Sequence, residues 1–198
     1  MRYTEINRST NETKIKVAIN LDGEGVTHIN AGIGFFDHML NLFAAHGRFN
    51  LDVECDGDIE VDGHHSVEDI GIALGSAIKT ALGDKRGINR YGTFYLPMDE
   101  ALAFVSLDIS GRPFLVYDGG SMAPMIGGYD TELTEEFLRA VAFNAGITLH
   151  AKVLYGNNSH HKVEAIFKAL GHALRIAVES DPRMHDIPST KGTLSFAP

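Results

Sequence analysis

His64-His65-Ser66-Val67-Glu68-Asp69-Ile70 returns 96 residues later as His160-His161-Lys162-Val163-Glu164-Ala165-Ile166. The likeness runs on: Ala73, Leu74, Gly75 and Ala77 match Ala169, Leu170, Gly171 and Ala173, giving nine identities over fifteen aligned positions. Two unrelated amphipathic helices would not share that many. The chain therefore reads as an internal duplication, with a first structural repeat over residues 1–90 and a second over 91–198, packed together as one subunit.

If each copy opens a helix, Glu68 lies one turn beyond His64 (i+4) and His65 (i+3), so all three side chains leave one end and one flank of it. Neutral imidazole suits transition metals and a carboxylate adds an oxygen donor, which is how helical di-metal sites are built. Paired histidines could instead cap a helix whose positive end Glu68 stabilises. Capping does not require the same three residues twice, so the metal reading is preferred.

The single Cys55 excludes an internal disulfide framework and a thiolate-based zinc site, leaving His and carboxylate as donors in a reducing compartment. Within Leu51-Asp52-Val53-Glu54-Cys55 it reads as a buried strand residue. A net charge of −9 argues against a general nucleic-acid binder, and an anionic substrate would need a local basic cluster. Met1-Arg2-Tyr3-Thr4-Glu5 has no apolar signal region and no run approaches membrane-spanning length. The expectation is a cytoplasmic protein with neither membrane nor nucleic-acid partners.

Arg2 to Arg8 leads to a half-buried strand over Lys14 to Leu21, and Glu12, in the turn between, reads on spacing as a surface residue. Apolar positions 36, 39, 40 and 43 mark a helix ending at Gly47, with His38 beside its apolar face and His46 in its last turn. Phe49 to Glu54 and Ile59 to Val61 are strand-like. After the short Gly87–Gly92 join come strands over Thr93–Leu96, Ala101–Ile109 and Phe114–Tyr117, a loop over Ser121–Tyr129, a helix over Glu132–Ala145, and a strand over Ile147–Tyr155 whose His150 reads as structural. The second His-His helix runs to about Val178, and Ile187–Gly192 is loop.

Setting the earlier helices together places Glu136 opposite His38, with 26 residues from His38 to His64 against 24 from Glu136 to His160. Each half then offers four donors: His38, His64, His65 and Glu68, and Glu136, His160, His161 and Glu164. Eight donors suit two metal ions with positions open to a substrate.

These residues, with Gly34-Phe35-Phe36-Asp37-His38-Met39-Leu40, Gly87-Ile88-Asn89-Arg90-Tyr91-Gly92, Pro97-Met98-Asp99-Glu100, Ser110-Gly111-Arg112-Pro113 and Pro188-Ser189-Thr190-Lys191-Gly192, resemble the imidazoleglycerol-phosphate dehydratase family of histidine biosynthesis. The resemblance implies a duplicated α+β fold of the ribosomal S5 domain 2-like type, each half a four-stranded sheet with two helices on one face. It implies a hydro-lyase with two manganese ions per subunit at sites completed across subunit contacts. It also implies a large octahedral homo-oligomer of roughly 24 subunits, acting on a phosphorylated imidazole. Many members carry His where Glu136 stands, which leaves open whether Glu136 coordinates directly.

The hydrogen to be removed in such a reaction is not next to a carbonyl, so activation has to come from the ring. Two metals, each holding one ring nitrogen, would stabilise an imidazolate that expels hydroxide from the adjacent carbon. A carboxylate then takes the neighbouring proton. By the resemblance that base is Glu12, with Asp99 a weaker candidate, and His65, Glu68, His161 and Glu164 serve catalysis as donors. The resemblance further implies Arg90, Arg112, Lys168, Ser189 and Lys191 at the phosphate, and Glu12, His38 and His46 at the substrate. A di-metal hydrolase or a metal-storage protein could use the same donors, and turnover of imidazole glycerol phosphate would separate the three.

Overall fold

In Thr13–Asn20 the apolar side chains of Ile15, Val17 and Ile19 face one way while Lys14 and Lys16 face the other, the period of a strand with one buried face. That pattern sets the architecture of residues 1–194, which the computed structural model describes. The first half runs β1 (Tyr3–Ser9), β2 (Thr13–Asn20), β3 (Thr27–Asn30), α1 (Gly34–Gly47), β4 (Asn50–Gly57) and α2 (His64–Leu82). The second runs β5 (Tyr91–Met98), β6 (Ala101–Asp108), β7 (Phe114–Asp118), β8 (Met125–Ile126), β9 (Tyr129–Asp130), α3 (Leu133–Ala145), β10 (Thr148–Tyr155) and α4 (Ser159–Val178).

The sheet orders are β1-β2-β4-β3 and β5-β6-β10-β7, the same topology twice. In each, the β3–β4 or β7–β10 pair is parallel and the others antiparallel. The fold is the expected duplicated α+β arrangement, two four-stranded sheets with two helices each. Helices cover one face of their own sheet, and the halves meet through them, α1 against α4 and α2 against α3.

The glycine shared by the two repeat copies explains that close meeting. A Cβ on Gly75 of α2 would stand 2.7 Å from the Val141 carbonyl oxygen of α3, and one on Gly171 of α4 would overlap the Phe43 carbonyl of α1. Between the crossings Phe36, Tyr129, Phe137 and Phe167 are fully buried, with Phe36 edge-on to Phe137 at 5.2 Å and Phe137 stacked on Phe167 at 5.3 Å.

Two local expectations change, and one strand appears that the sequence reading did not mark. Ile59–Val61 is a turn, closed by Val61 N–H to the Asp58 carbonyl at 2.9 Å; its apolar side chains find no neighbouring strand, and Val61 is exposed. Thr27–Asn30 is a strand that its mostly polar residues conceal, since only Ile29 packs on the core. Ser121–Tyr129 holds the first strand of the small β8–β9 hairpin, turned at Gly127, whose φ is 59°. Cys55 is half buried on β4. Among the described residues no helix is long and apolar enough to cross a membrane.

Candidate metal centre

Both His-His pairs sit at the first turn of a helix. In α4 the Asn158 side chain accepts the His161 N–H at 3.2 Å, while before α2 the Asp62 carboxylate accepts the His64 N–H at 2.7 Å. The first histidine of each pair faces the glutamate one turn on, His160 Nε2 at 3.0 Å from Glu164 Oε2 and His64 Nε2 at 3.7 Å from Glu68 Oε2. Packing of α1 on α4 adds His38, whose Nε2 is 3.6 Å from Glu164 Oε2. Donor atoms of His38, His160 and Glu164 all lie within 4.8 Å of one another. With metal–ligand bonds of about 2.1 Å, two donors on one ion stand at most about 4.2 Å apart, so small rotamer adjustments would close this set.

Glu164 is 5% exposed. Burial raises its carboxyl, but Lys168 Nζ at 2.5 Å from Oε1, with His160 and His38, more than offsets this and holds it below the usual range. Lys168 thus supplies the positive charge that the carboxylate needs.

Glu136, on α3, lines a cleft of ≈ 630 Å³ together with His64, Asp62 and Glu132. It shares that cleft with His64 of α2, without the close contact that His38 makes with Glu164. The set of His38, His160 and Glu164 therefore draws on both halves, because α1 packs on α4; among the described residues Glu136, His64 and Glu68 are not gathered as closely.

The second histidines leave these sets. Neighbouring residues on a helix point about 100° apart, so His64 and His65 do not share a flank as the i+3 and i+4 spacings suggest. His65 Nδ1 is 3.0 Å and 3.1 Å from the Asp58 carboxylate oxygens, and its Nε2 is 3.7 Å from Glu12 Oε1. His161 repeats this, with Nδ1 at 2.7 Å from Glu100 Oε2 and Nε2 at 3.8 Å from Asp99 Oδ2. The hydrogen bonds to Asp58 and Glu100 raise the two imidazoles above their ordinary values. With Nδ1–H given to a carboxylate that fixes the ring, Nε2 is left available on the side of Glu12 or Asp99, as in metal-binding histidines. Glu100 also accepts the Asn158 and Asn157 N–H groups at 2.7 Å and 3.0 Å; these bonds and His161 push its carboxyl down to about 2. Sequence reasoning singled out neither Asp58 nor Glu100, since an acid beside a turn looks like solvated surface.

The cationic residues separate into two places. Lys168 and His46 stay on the α1–α4 side, where His46 Nδ1 lies 3.1 Å from His172 Nε2. Arg90 sits at the far end of α4: its N–H binds the Ala177 carbonyl at 2.9 Å, and its guanidinium grips Asp108 at 2.7 Å and 3.1 Å and the Pro188 carbonyl at 2.9 Å. Arg112 is exposed beyond β6, and Ser189 and Lys191 belong to the tail that Arg90 holds, with Ser189 Oγ accepting the Lys191 N–H at 3.2 Å. The 17 helical steps from His160 to Ala177 span about 25 Å. One small substrate cannot reach both ends within a single chain. His150 lies on the exposed face of β10.

A sequence model described as imidazoleglycerol-phosphate dehydratase matches residues 31–174. An imidazoleglycerol-phosphate dehydratase of Clostridium botulinum strain Kyoto is 62% identical over 190 residues, 96% of this chain and 97% of that one. The enzyme of the same name from Acetivibrio thermocellus is 58% identical over 193 residues, 98% and 99% of the two chains. The crystal structure of imidazoleglycerol-phosphate dehydratase from Staphylococcus aureus superposes with a TM-score of 0.82 at 43% identity, covering 90% of this chain and 99% of its own. That from Pyrococcus furiosus, in complex with (S)-C348, gives 0.80 at 37% identity, covering 96% and 100%. Likeness of this degree over nearly the whole length, in a chain whose donors fall in a duplicated frame, decides the kinship: it belongs to the imidazoleglycerol-phosphate dehydratase family.

Proposed function

We propose that the chain dehydrates D-erythro-imidazole glycerol phosphate to imidazole acetol phosphate, in L-histidine biosynthesis, with two manganese ions per subunit. The relatives' activity favours this over the di-metal hydrolase and metal-storage alternatives. The observation that carries the metal part is the crossed donor set of His38, His160 and Glu164; the repeat makes Glu136, His64 and Glu68 its counterpart, with Glu136 and His64 lining one cleft. The donors fit a divalent ion of intermediate hardness, being neutral imidazole and carboxylate without thiolate. When bound there, such ions would supply Lewis-acid withdrawal of charge at the two nitrogens of the substrate ring.

The chain's own residues do the rest. Glu12 is half exposed, and among the described residues its carboxylate meets only the His65 ring, at 3.7 Å, so it is free to take a proton. It removes hydrogen from the carbon next to the one that loses hydroxide, leaving an enol that relaxes to the ketone; the proton and hydroxide account for the water lost. Asp58 and Glu100 orient the outward Nε2 atoms of His65 and His161.

Two features support sites shared between subunits. Among the described residues the imidazole nitrogens of His65 and His161 pair only with the acids Asp58, Glu12, Glu100 and Asp99, and Arg90, which holds the tail of Ser189 and Lys191, meets α4 about 25 Å along from His160. Phosphate held there belongs to a substrate whose ring sits on a neighbouring subunit. The outer face of the second sheet exposes Tyr91, Tyr95, Phe114, Val116 and Leu154, an apolar surface suited to the contacts of a large octahedral homo-oligomer. Residues 1–90 and 91–198 are the two repeats of that subunit, the last four residues lying outside those described. A half-buried thiol suits a cytoplasmic setting.

The test is turnover: protein stripped of metal, reloaded with manganese and given imidazole glycerol phosphate should form the ketone with about two ions bound per chain. A metal-free protein of full activity would overturn the proposal, as would an active isolated monomer its shared sites.

A further inference from the structure

The turn that carries Glu12 is tied to α2 by hydrogen bonds whose directions are forced. Asp69, one turn after His65 and 6% exposed, accepts the Thr13 hydroxyl on Oδ2 at 2.6 Å and Arg8 Nη2 on Oδ1 at 2.8 Å. An ionised carboxylate only accepts, so the single hydroxyl proton of Thr13, itself 2% exposed, is committed to Asp69. The 3.2 Å contact between the hydroxyls of Thr10 and Thr13 must then run from Thr10 to Thr13. Thr10 keeps its lone pairs for the N–H groups of Glu12 at 3.1 Å and Thr13 at 3.0 Å. From the other side the Glu12 carbonyl accepts the Asp58 N–H at 3.2 Å, and Asp58 holds the His65 ring. One helical turn thus presents His65 and anchors the backbone that presents Glu12.

The second repeat lacks this device. Ala165 stands where the first has Asp69, and the matching β5–β6 turn is held by the Glu100 carboxylate on the Asn157 and Asn158 N–H groups and His161. There Glu100 is consumed in holding the turn, while Asp99, facing His161 Nε2 at 3.8 Å, has among the described residues no counterpart of the Thr13–Asp69 link beneath it. In the first repeat the holding is done from below, and the Glu12 carboxylate stays free.

We propose that Asp69, acting through Thr13 and Thr10, is a positioning residue that fixes Glu12 over His65 for proton removal. The inference rests on Glu12 being the base. Misplacing a reacting group by about 1 Å can cost about 100-fold in rate, so loosening the turn should act on kcat and leave ground-state binding alone.

The test compares Thr13→Val with Thr13→Ser, each in the wild-type and Glu12→Gln manganese-loaded proteins, reading kcat, KM and bound manganese. Thr10→Val serves as a second variant that removes only the link nearest Glu12, should Thr13→Val fail to fold. Expected are a fall in kcat of about 10- to 100-fold with KM and metal content unchanged, recovery with Thr13→Ser, and no further loss when Thr13→Val is added to Glu12→Gln. An equal loss in both backgrounds would show a general structural role and overturn the proposal. No loss in the wild-type background would overturn it too. Undiminished kcat in Glu12→Gln alone would remove the base assignment first, and the proposal with it.

Discussion

Replacing Lys168 with Met would leave the Glu164 carboxylate, 5% exposed, without its cation in metal-free protein. Removing one partner of a buried pair costs about 3–5 kcal/mol when the other stays charged. Glu164 has an escape, since it can take up a proton. From an ordinary glutamate value of about 4.3, protonation at pH 7 costs about 4 kcal/mol, which caps the loss. A destabilisation of about 2–4 kcal/mol should lower Tm by about 4–16 °C in a chain of this size. The sign of the pH dependence also changes. In the wild type the depressed Glu164 contributes stability that is present above its ordinary value and lost as pH falls through the lower folded value. In Lys168→Met, burial raises the same carboxyl, so stability should fall as pH rises between the ordinary and the raised value. Bound manganese would take over as counter-charge and shrink the difference. The assay is thermal denaturation of both proteins at one subunit concentration, with chelator and with manganese, across pH 4–8. Equal loss with and without manganese would refute Glu164 as a metal donor, and no loss with chelator would show that the pair is inert.

Exchange of Glu136 for His should keep metal and activity while Ala loses both, because His restores a donor; equal metal affinity in Ala and wild type would remove Glu136 from coordination. Glu12→Gln should lower kcat by on the order of 10²–10⁴-fold with metal retained, whereas Arg90→Ala and Arg112→Ala should raise KM; the steady-state constants decide. His65→Ala or His161→Ala should lose metal and turnover together, read by elemental analysis. Manganese affinity should fall as pH drops through the range of these two imidazoles, which Asp58 and Glu100 raise, since each must shed a proton to bind; isothermal titration at pH 6 and 8 checks this, and pH-independent affinity would exclude them as donors.

The duplication was legible because the His-His-x-x-Glu stretch and the glycine behind it recur at one spacing, and the helical period placed both on helices. The crossing of donor sets was not, because it depends on Gly171 admitting α1 and Gly75 admitting α3, contacts between segments far apart in sequence. Periodicity also fails where few residues pack: Thr27–Asn30 pairs in parallel with β4 on backbone bonds, and Ile59–Val61 offers the right residue types with no strand to receive them. Glu12 carried no local signal, and only its likeness to family members raised it above a surface acid. The histidine pairs pointed to metal, but the backbone geometry that divides them appears only when Asp58 and Glu100 are seen to claim the second ring of each.

The crossed helices bear on how such a chain could arise. A lone half, whether residues 1–90 or 91–198, has the His-His helix and its glutamate, but the side chain that faces that helix's first histidine comes from the other half. A single repeat could complete such a set only by trading helices with an identical copy, and duplication within one chain supplies that copy permanently. The two turns differ in what holds them, the first by the Thr13 hydroxyl on Asp69 and the second by Glu100 on the backbone N–H groups of Asn157 and Asn158.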